Sequence, residues 1–202
     1  MRTLSPAILL AVLLTASGTA CSGGRARGDT PPAADSISIA RARTAADSLG
    51  PDLMAMLLSE LERGGPESAV AVCADSAQAR TARHSRDGLT IRRVGTRVRN
   101  TRNAPDSIET RVLASMQGEF DAGRPLKEVV EVGRAGDGWE LRLMRPIALL
   151  DRCTACHGNA EQIAPAARAL ITARYPEDRA VGYAPGDLRG AISVRVALPA
   201  AR

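Results

Sequence analysis

Cys153-Thr154-Ala155-Cys156-His157 is the run whose residue types and spacing specify chemistry most strongly. Two thiols three positions apart can each add to one of the two vinyl groups of a haem. The histidine that follows then lies under the iron as an axial ligand. In an exported chain this pattern reads as covalent attachment of one haem c through Cys153 and Cys156, with His157 on the metal. Other chemistries fit less well. A thioredoxin-type dithiol expects a βαβ surround, whose pattern the sequence does not show. A zinc site needs two more ligands, and Cys73 and His84 lack the paired spacing of such a set. A structural disulfide across two residues is strained.

Export is itself legible. Met1-Arg2 is a short positive start, and residues 4–20 (LSPAILLAVLLTASGTA) form an apolar run ending in small residues. That is a secretory signal, too short to favour a stable membrane span. Cys21 follows Gly18-Thr19-Ala20, and the run resembles a bacterial lipobox in which the cysteine is acylated. Gly18 stands where such a box usually has leucine. The expectation is a signal peptide over 1–20 of lipoprotein type, lipidation at Cys21 and a periplasm-facing protein held to a bacterial membrane. Residues 21–36, rich in Gly, Ala, Pro and polar residues, read as a flexible tether. The folded haem c domain is expected over 37–198.

With Cys21 given to lipid and Cys153 and Cys156 to thioethers, Cys73 is the odd cysteine. It is either a small buried hydrophobe or a second axial ligand that iron protects from oxidation. His84 is the alternative, although its polar neighbours suit a surface histidine at a helix end. Met54, Met56, Met116 and Met144 are further candidates, as is an open site. The residues alone leave these alternatives open.

The elements that must position these groups follow from periodicity. Ile37, Ala40, Leu49, Leu53, Met56, Leu57 and Leu61 recur at helical spacing, with a kink or a second helix expected at Gly50-Pro51. Gly64-Gly65 ends that run, and Pro66 opens a helix to about Arg83 with Ala69, Val70, Cys73 and Ala77 on its apolar face. Residues 89–98 alternate as a strand, and 100–106 form a turn that can cap a helix over 107–122. Residues 127–134 and 138–145 read as a hairpin around Ala135-Gly136-Asp137. A short helix over 160–173 and a strand over 191–198 complete the chain. Helices, strand, helix, hairpin, motif loop, helix and strand make an α+β order.

Composition adds an oddity. The chain of 202 residues has four aromatics, Phe120, Trp139, Tyr175 and Tyr183, yet is 45% hydrophobic. Rings that bury roughly 150–250 Å² each are nearly missing. A covalent haem at the centre of the core is expected to replace them. Of 27 Lys and Arg residues only Lys127 is lysine, and the net charge is +5. The arginines are spread among acids without a basic block, which argues against nucleic-acid binding.

Longer motifs carry a resemblance. They are Cys153-xx-Cys156-His157-Gly158, then Tyr175-Pro176-x-Asp178-x-Ala180-x-Gly182-Tyr183-xx-Gly186-Asp187-x-Arg189-Gly190-Ala191-x-Ser193-Val194. Ile91-Arg92-Arg93-Val94, Arg99-Asn100-xx-Asn103-x-Pro105 and Ala71-Val72-Cys73 add to them. Together they resemble the single-haem c domain family. A cyanobacterial photosystem-associated haem c protein and the sensory ectodomains of some bacterial histidine kinases belong to that family. Thr101 departs from the proline more often found there. The resemblance implies a PAS-like antiparallel sheet with flanking helices and an N-terminal helical part. It also implies a cysteine opposite His157 on the iron, and Cys73 is the matching residue.

A thiolate ligand donates electron density and lowers the potential. The expectation is therefore a redox or gas sensor or relay with a His/Cys-ligated low-spin haem. The alternative is a low-potential periplasmic electron carrier. A peroxidase-like enzyme comes last, because no distal acid–base pair is visible. With no output domain in the chain, a separate redox or signalling partner is expected. The haem carboxylates need cations or donors, and Arg92, Arg93, Arg99, Arg189, Tyr175 and Tyr183 are the candidates.

Overall fold

The structure is a computed structural model that describes residues 31–199. The expected signal segment, Cys21 and most of the expected tether lie outside the described residues. No helix among the described residues is long and apolar enough to cross a membrane.

The elements are α1 (Ser36–Ala82), β1 (Leu89–Val94), α2 (Ser107–Asp121), β2 (Val129–Ala135), β3 (Gly138–Ala148), α3 (Thr154–His157), α4 (Pro165–Arg174) and β4 (Leu188–Leu198). Short 3-10 turns lie at Thr101–Asn103 and Asp151–Cys153. The strands make one antiparallel sheet in the order β1-β4-β3-β2, and helices flank it. This is the α+β class that the element order implied.

Strand alternation decides what lies on each face. Ile91, Leu141, Leu143, Ile192, Val194 and Val196 cluster with Ala42, Ala46 and Leu49 of α1. On the other face Val94, Met144 and Ala191 pack against Val112, Leu113 and Met116 of α2. The central strand β4 is covered on both faces, so most of it is buried. Asp106 caps α2 and shares a capping box with Glu109, which satisfies two orphan backbone donors. Arg142 reaches from β3 to the same Asp106 at 2.7 Å, tying the helix to the sheet.

Both core clusters around the sheet are aliphatic apart from methionine and a partly buried Trp139. This corrects the expectation of a haem at the centre of the core. Small Ala faces on α1 let the helix approach the sheet closely enough for Leu and Val to fill the gap.

Pro51 does not interrupt α1, contrary to expectation. A proline inside a helix forgoes one hydrogen bond, but Leu49 before it and Met56 after it are buried on the same side and hold the turn in place. The break is at Gly64 and Gly65, whose backbone leaves helical values, Gly65 with φ +68°. The two limbs, 36–63 and 66–82, fold back on each other. Ser68 donates to Glu60 at 2.9 Å, and Arg80 and His84 converge on Asp52 at 2.7 and 3.1 Å. That pairing holds the Asp52 carboxyl below the usual carboxylate range.

Other boundaries differ in detail. β1 ends at Val94, four residues early, because Gly95 turns away to bond the Asn103 carbonyl. Helix α4 starts at Pro165, since residues 159–162 are held in a turn by reciprocal Asn159 and Gln162 bonds.

Gly190 holds β4 against the end of β1. Its φ is +150°, and a β-carbon there would collide with the Val94 carbonyl oxygen. Gly190→Ala is predicted to destabilise the protein by roughly 3 kcal/mol or more. Urea unfolding should show a lower midpoint with an unchanged slope.

Candidate functional site

A cleft of about 270 Å³ opens where the two limbs of α1, the ends of β1 and β3, and the motif loop meet. The apolar walls are Leu57, Leu61, Ala69, Val70, Val94, Val98, Ile147 and Leu149. Cys73, Cys153, Cys156 and His157 line the same cleft, together with Arg93, Arg99, Tyr175 and Arg189. Residues 84 positions apart, Cys73 and His157, are brought to one cavity by the hairpin of α1 and the loop after β3.

The motif is built locally. Cys153 donates its backbone N–H to Leu150 at 2.9 Å, and Thr154 Oγ1 donates to the Asp151 carbonyl at 2.7 Å. These bonds start the short turn that becomes α3. The chain must then be held from outside, because a four-residue helix has little stability of its own. Segment 175–183 supplies the hold. Gly182 N donates to the Gly158 carbonyl at 2.7 Å and Tyr183 N to the His157 carbonyl at 3.0 Å. Cys153 packs with Leu149, Ala180 and Tyr183, while Cys156 packs with Val70, Ile163, Ala167 and Ile171.

His157 is fixed by one bond. Its Nδ1 lies 2.7 Å from the Ala180 carbonyl, which can only accept, so Nδ1 carries the proton. Nε2 is left with its lone pair and, among the described residues, no hydrogen bond. Burial, with Arg99 and Arg189 nearby, lowers the imidazole pKa to about 3. The ring is therefore neutral and ready to donate to a metal. The Tyr183 ring meets it edge-on, with centroids 6.5 Å apart, and Arg97 stacks on Tyr183 at 3.5 Å.

Arg99 is the tie behind the motif. Nε bonds Asp178 Oδ2 at 3.1 Å and Nη2 bonds the Cys156 carbonyl at 2.5 Å. Nη2 also lies 3.5 Å from the Ala180 carbonyl, and Asp178 Oδ1 accepts from Ala180 N at 2.8 Å. The pair is well buried, at 13% and 9% side-chain exposure. Arg99 is therefore already engaged. Arg189 is buried too and donates to the Arg97 carbonyl at 3.1 Å. Arg93 differs from both. Among the described residues it makes no side-chain hydrogen bond or ion pair, and its Nε is sealed from solvent. Burial raises the Cys73 thiol pKa, with Arg93 and Arg99 opposing that rise.

Several expected residues are not in the cleft. His84 pairs with Asp52 at the far end of the second limb, which corrects its candidacy as an iron ligand. None of Met54, Met56, Met116 and Met144 lines the cleft; Met116 and Met144 are packed under α2. Arg92 points to the α2 face, where its nearest acid is Glu109 at 3.8 Å. Tyr183 lies behind His157 rather than in the cavity wall. The residues that sequence reasoning gave no role are Asp178, Ala180 and Arg97. Asp178 and Ala180 stand in the quoted motif, yet their task uses backbone groups and leaves no mark on residue type.

A haem requires apolar walls, a neutral imidazole, and cations or donors for its carboxylates. The cleft has all three, and the unpartnered Arg93 guanidinium is the feature that a carboxylate explains. Among the described residues no group of three or more His, Cys, Asp and Glu side chains could hold a metal ion, as a zinc site would require.

Residues 30–197 match the family described as Tll0287-like: Tll0287. No curated protein matches the chain significantly. Among solved structures, the crystal structure of the cyanobacterial heme-protein Tll0287 is similar to this one with a TM-score of 0.57. The two are 20% identical, over 84% of this chain and 100% of that chain. At that identity the likeness establishes the fold.

Arg99→Met is predicted to leave the buried Asp178 carboxylate unpaired and to cost roughly 3–5 kcal/mol. Arg99→Met combined with Asp178→Leu should cost less than the two single changes added together. Urea unfolding of the three variants measures both effects.

Proposed function

The chain belongs to the Tll0287-like family, and from that premise we propose that it is a haem c protein that senses or relays redox state. Cys153 and Cys156 would hold the group through thioethers, and His157 Nε2 and the Cys73 sulfur would ligate its iron. The observation that carries the reading is that Cys73 lines the same cleft as the complete attachment motif. Haem, when bound, supplies a one-electron iron couple.

The chain's own groups set the conditions. The Ala180 carbonyl keeps the proton on His157 Nδ1 and so directs Nε2 to the metal. The Cys73 thiol is raised by burial in the absence of a metal. To hold iron it would release its proton to solvent, and the resulting thiolate would favour the oxidised metal. The apolar walls exclude water and strengthen that electrostatic preference. Two strong donors, with no distal acid–base pair among the described residues, suit a sensor or relay rather than an enzyme. An electron carrier of low potential is the second reading, favoured by the same thiolate.

The N-terminal signals complete the proposal. Export, with acylation at Cys21, places the domain on the periplasmic side of a bacterial membrane. The gas or redox signal is then passed to a separate partner protein.

Protein matured with a haem c export system is predicted to give a low-spin electron paramagnetic resonance signal of thiolate type. Cys73→Ala should lose that signal and shift the reduction potential upward, while the thioether pyridine haemochrome persists. His84→Ala should change neither. A thiolate signal that survives in Cys73→Ala overturns the ligand assignment. Spectra recorded through a redox titration separate the two readings: a change of axial ligand favours the sensor, and constant ligation favours the carrier.

A further inference from the structure

The cations at the cleft are unequal. Arg99 is spent on Asp178 and on the carbonyls of Cys156 and Ala180. Arg189 bonds the Arg97 carbonyl and lies 5.3 Å from the Tyr183 ring. Arg152 is exposed to solvent. Arg93 reaches the cleft from β1 with its Nε sealed from water and, among the described residues, no acid or carbonyl bonded to its side chain. An Nε–H sealed from water without an acceptor is costly, and such groups are found where something else supplies one. The acid-type side chains that act on it are Cys73 and Tyr175, and neither makes a hydrogen bond or ion pair with it; in the haem reading the Cys73 sulfur is taken by the iron.

The missing partner is therefore an anion from outside the polypeptide. The guanidinium is planar with parallel N–H donors, which match a carboxylate in two-pronged fashion. We propose that Arg93 binds a carboxylate in the cleft, and that this carboxylate is a propionate of the bound haem. The inference rests on the haem reading above. It narrows the field of candidate cations: Arg93 holds the cofactor's acid, Arg99 holds the protein's own loop. Arg92, next in sequence, takes no part because strand alternation sends it to the opposite face.

The test uses the haem-loaded protein and its Arg93→Met and Arg93→Lys variants, each also on a Cys73→Ala background. Resonance Raman spectra report the propionate bending band, whose position depends on hydrogen bonding. The pyridine haemochrome reports attachment independently. The expected result is a hydrogen-bonded band in the unaltered protein that moves to the free position in Arg93→Met and partway in Arg93→Lys, on both backgrounds. If Arg93→Met fails to mature, the Arg93→Lys shift carries the same comparison. An unmoved band overturns the inference and leaves the haem reading intact. A shift seen only where Cys73 is present also overturns it, because the thiolate is then the partner. A band already at the free position in the unaltered protein overturns it too, and assigns Arg93 to a small carboxylate from solution. Absence of a thioether haemochrome in the unaltered protein overturns both this inference and the haem reading.

Discussion

The carbonyl of Ala180 ties the site together. It accepts from His157 Nδ1 at 2.7 Å, and Arg99 faces it from the other side. Arg99 also bonds the Cys156 carbonyl, while Asp178 holds the Ala180 amide. A four-residue helix that would not persist alone is thereby fixed between two backbone segments. The histidine tautomer follows from this arrangement rather than from any property of the motif. A charged pair does this well because its bonds to carbonyls are stronger than neutral ones and its own charges cancel in a dry place. Removing either partner leaves the other charge stranded, so fold stability and site geometry are coupled at one point.

Electrostatics then sort the remaining groups. Four arginines line an apolar cleft, Arg93, Arg99, Arg152 and Arg189, and Asp178 neutralises Arg99. Burial, aided by the excess positive charge, keeps His157 neutral, and the same charge opposes the burial-driven rise of the Cys73 thiol pKa. It also disposes the cleft towards a ligand that brings negative charge. The same preference for anions that suits a porphyrin carboxylate suits a thiolate donor. The sheet, by contrast, is packed by aliphatic side chains on both faces and borders the cleft only at the ends of its strands. Cofactor chemistry is thus placed at one end of a scaffold whose core is already filled.

Much of this was legible in the sequence where residue type and spacing record the physics. The CxxCH run, the Gly64-Gly65 break, the helix over 107–122 and the hairpin at Gly136-Asp137 all leave direct marks. Pro51 marks a break that does not occur, because the buried Leu49 and Met56 offset the proline's local cost. His84 stood as a candidate ligand because sequence distance says nothing about a limb folding back onto Asp52. Arg93 and Arg99 are indistinguishable in sequence as cations six residues apart; the fold shows one paired and the other, among the described residues, without a partner. The shortage of aromatics suggested a haem-centred core, yet Ala-lined helix faces close the sheet without one.

The central claim is that one cleft holds a haem joined to Cys153 and Cys156, with iron between His157 and Cys73. A crystal structure of the full chain, exported and matured with haem c machinery, tests it most directly. The account predicts thioether density at both motif cysteines, His157 Nε2 and Cys73 Sγ on opposite sides of the iron, and the Nδ1 bond to Ala180 retained. Iron ligated by a residue other than Cys73, or a cleft that holds no haem after maturation, would contradict it.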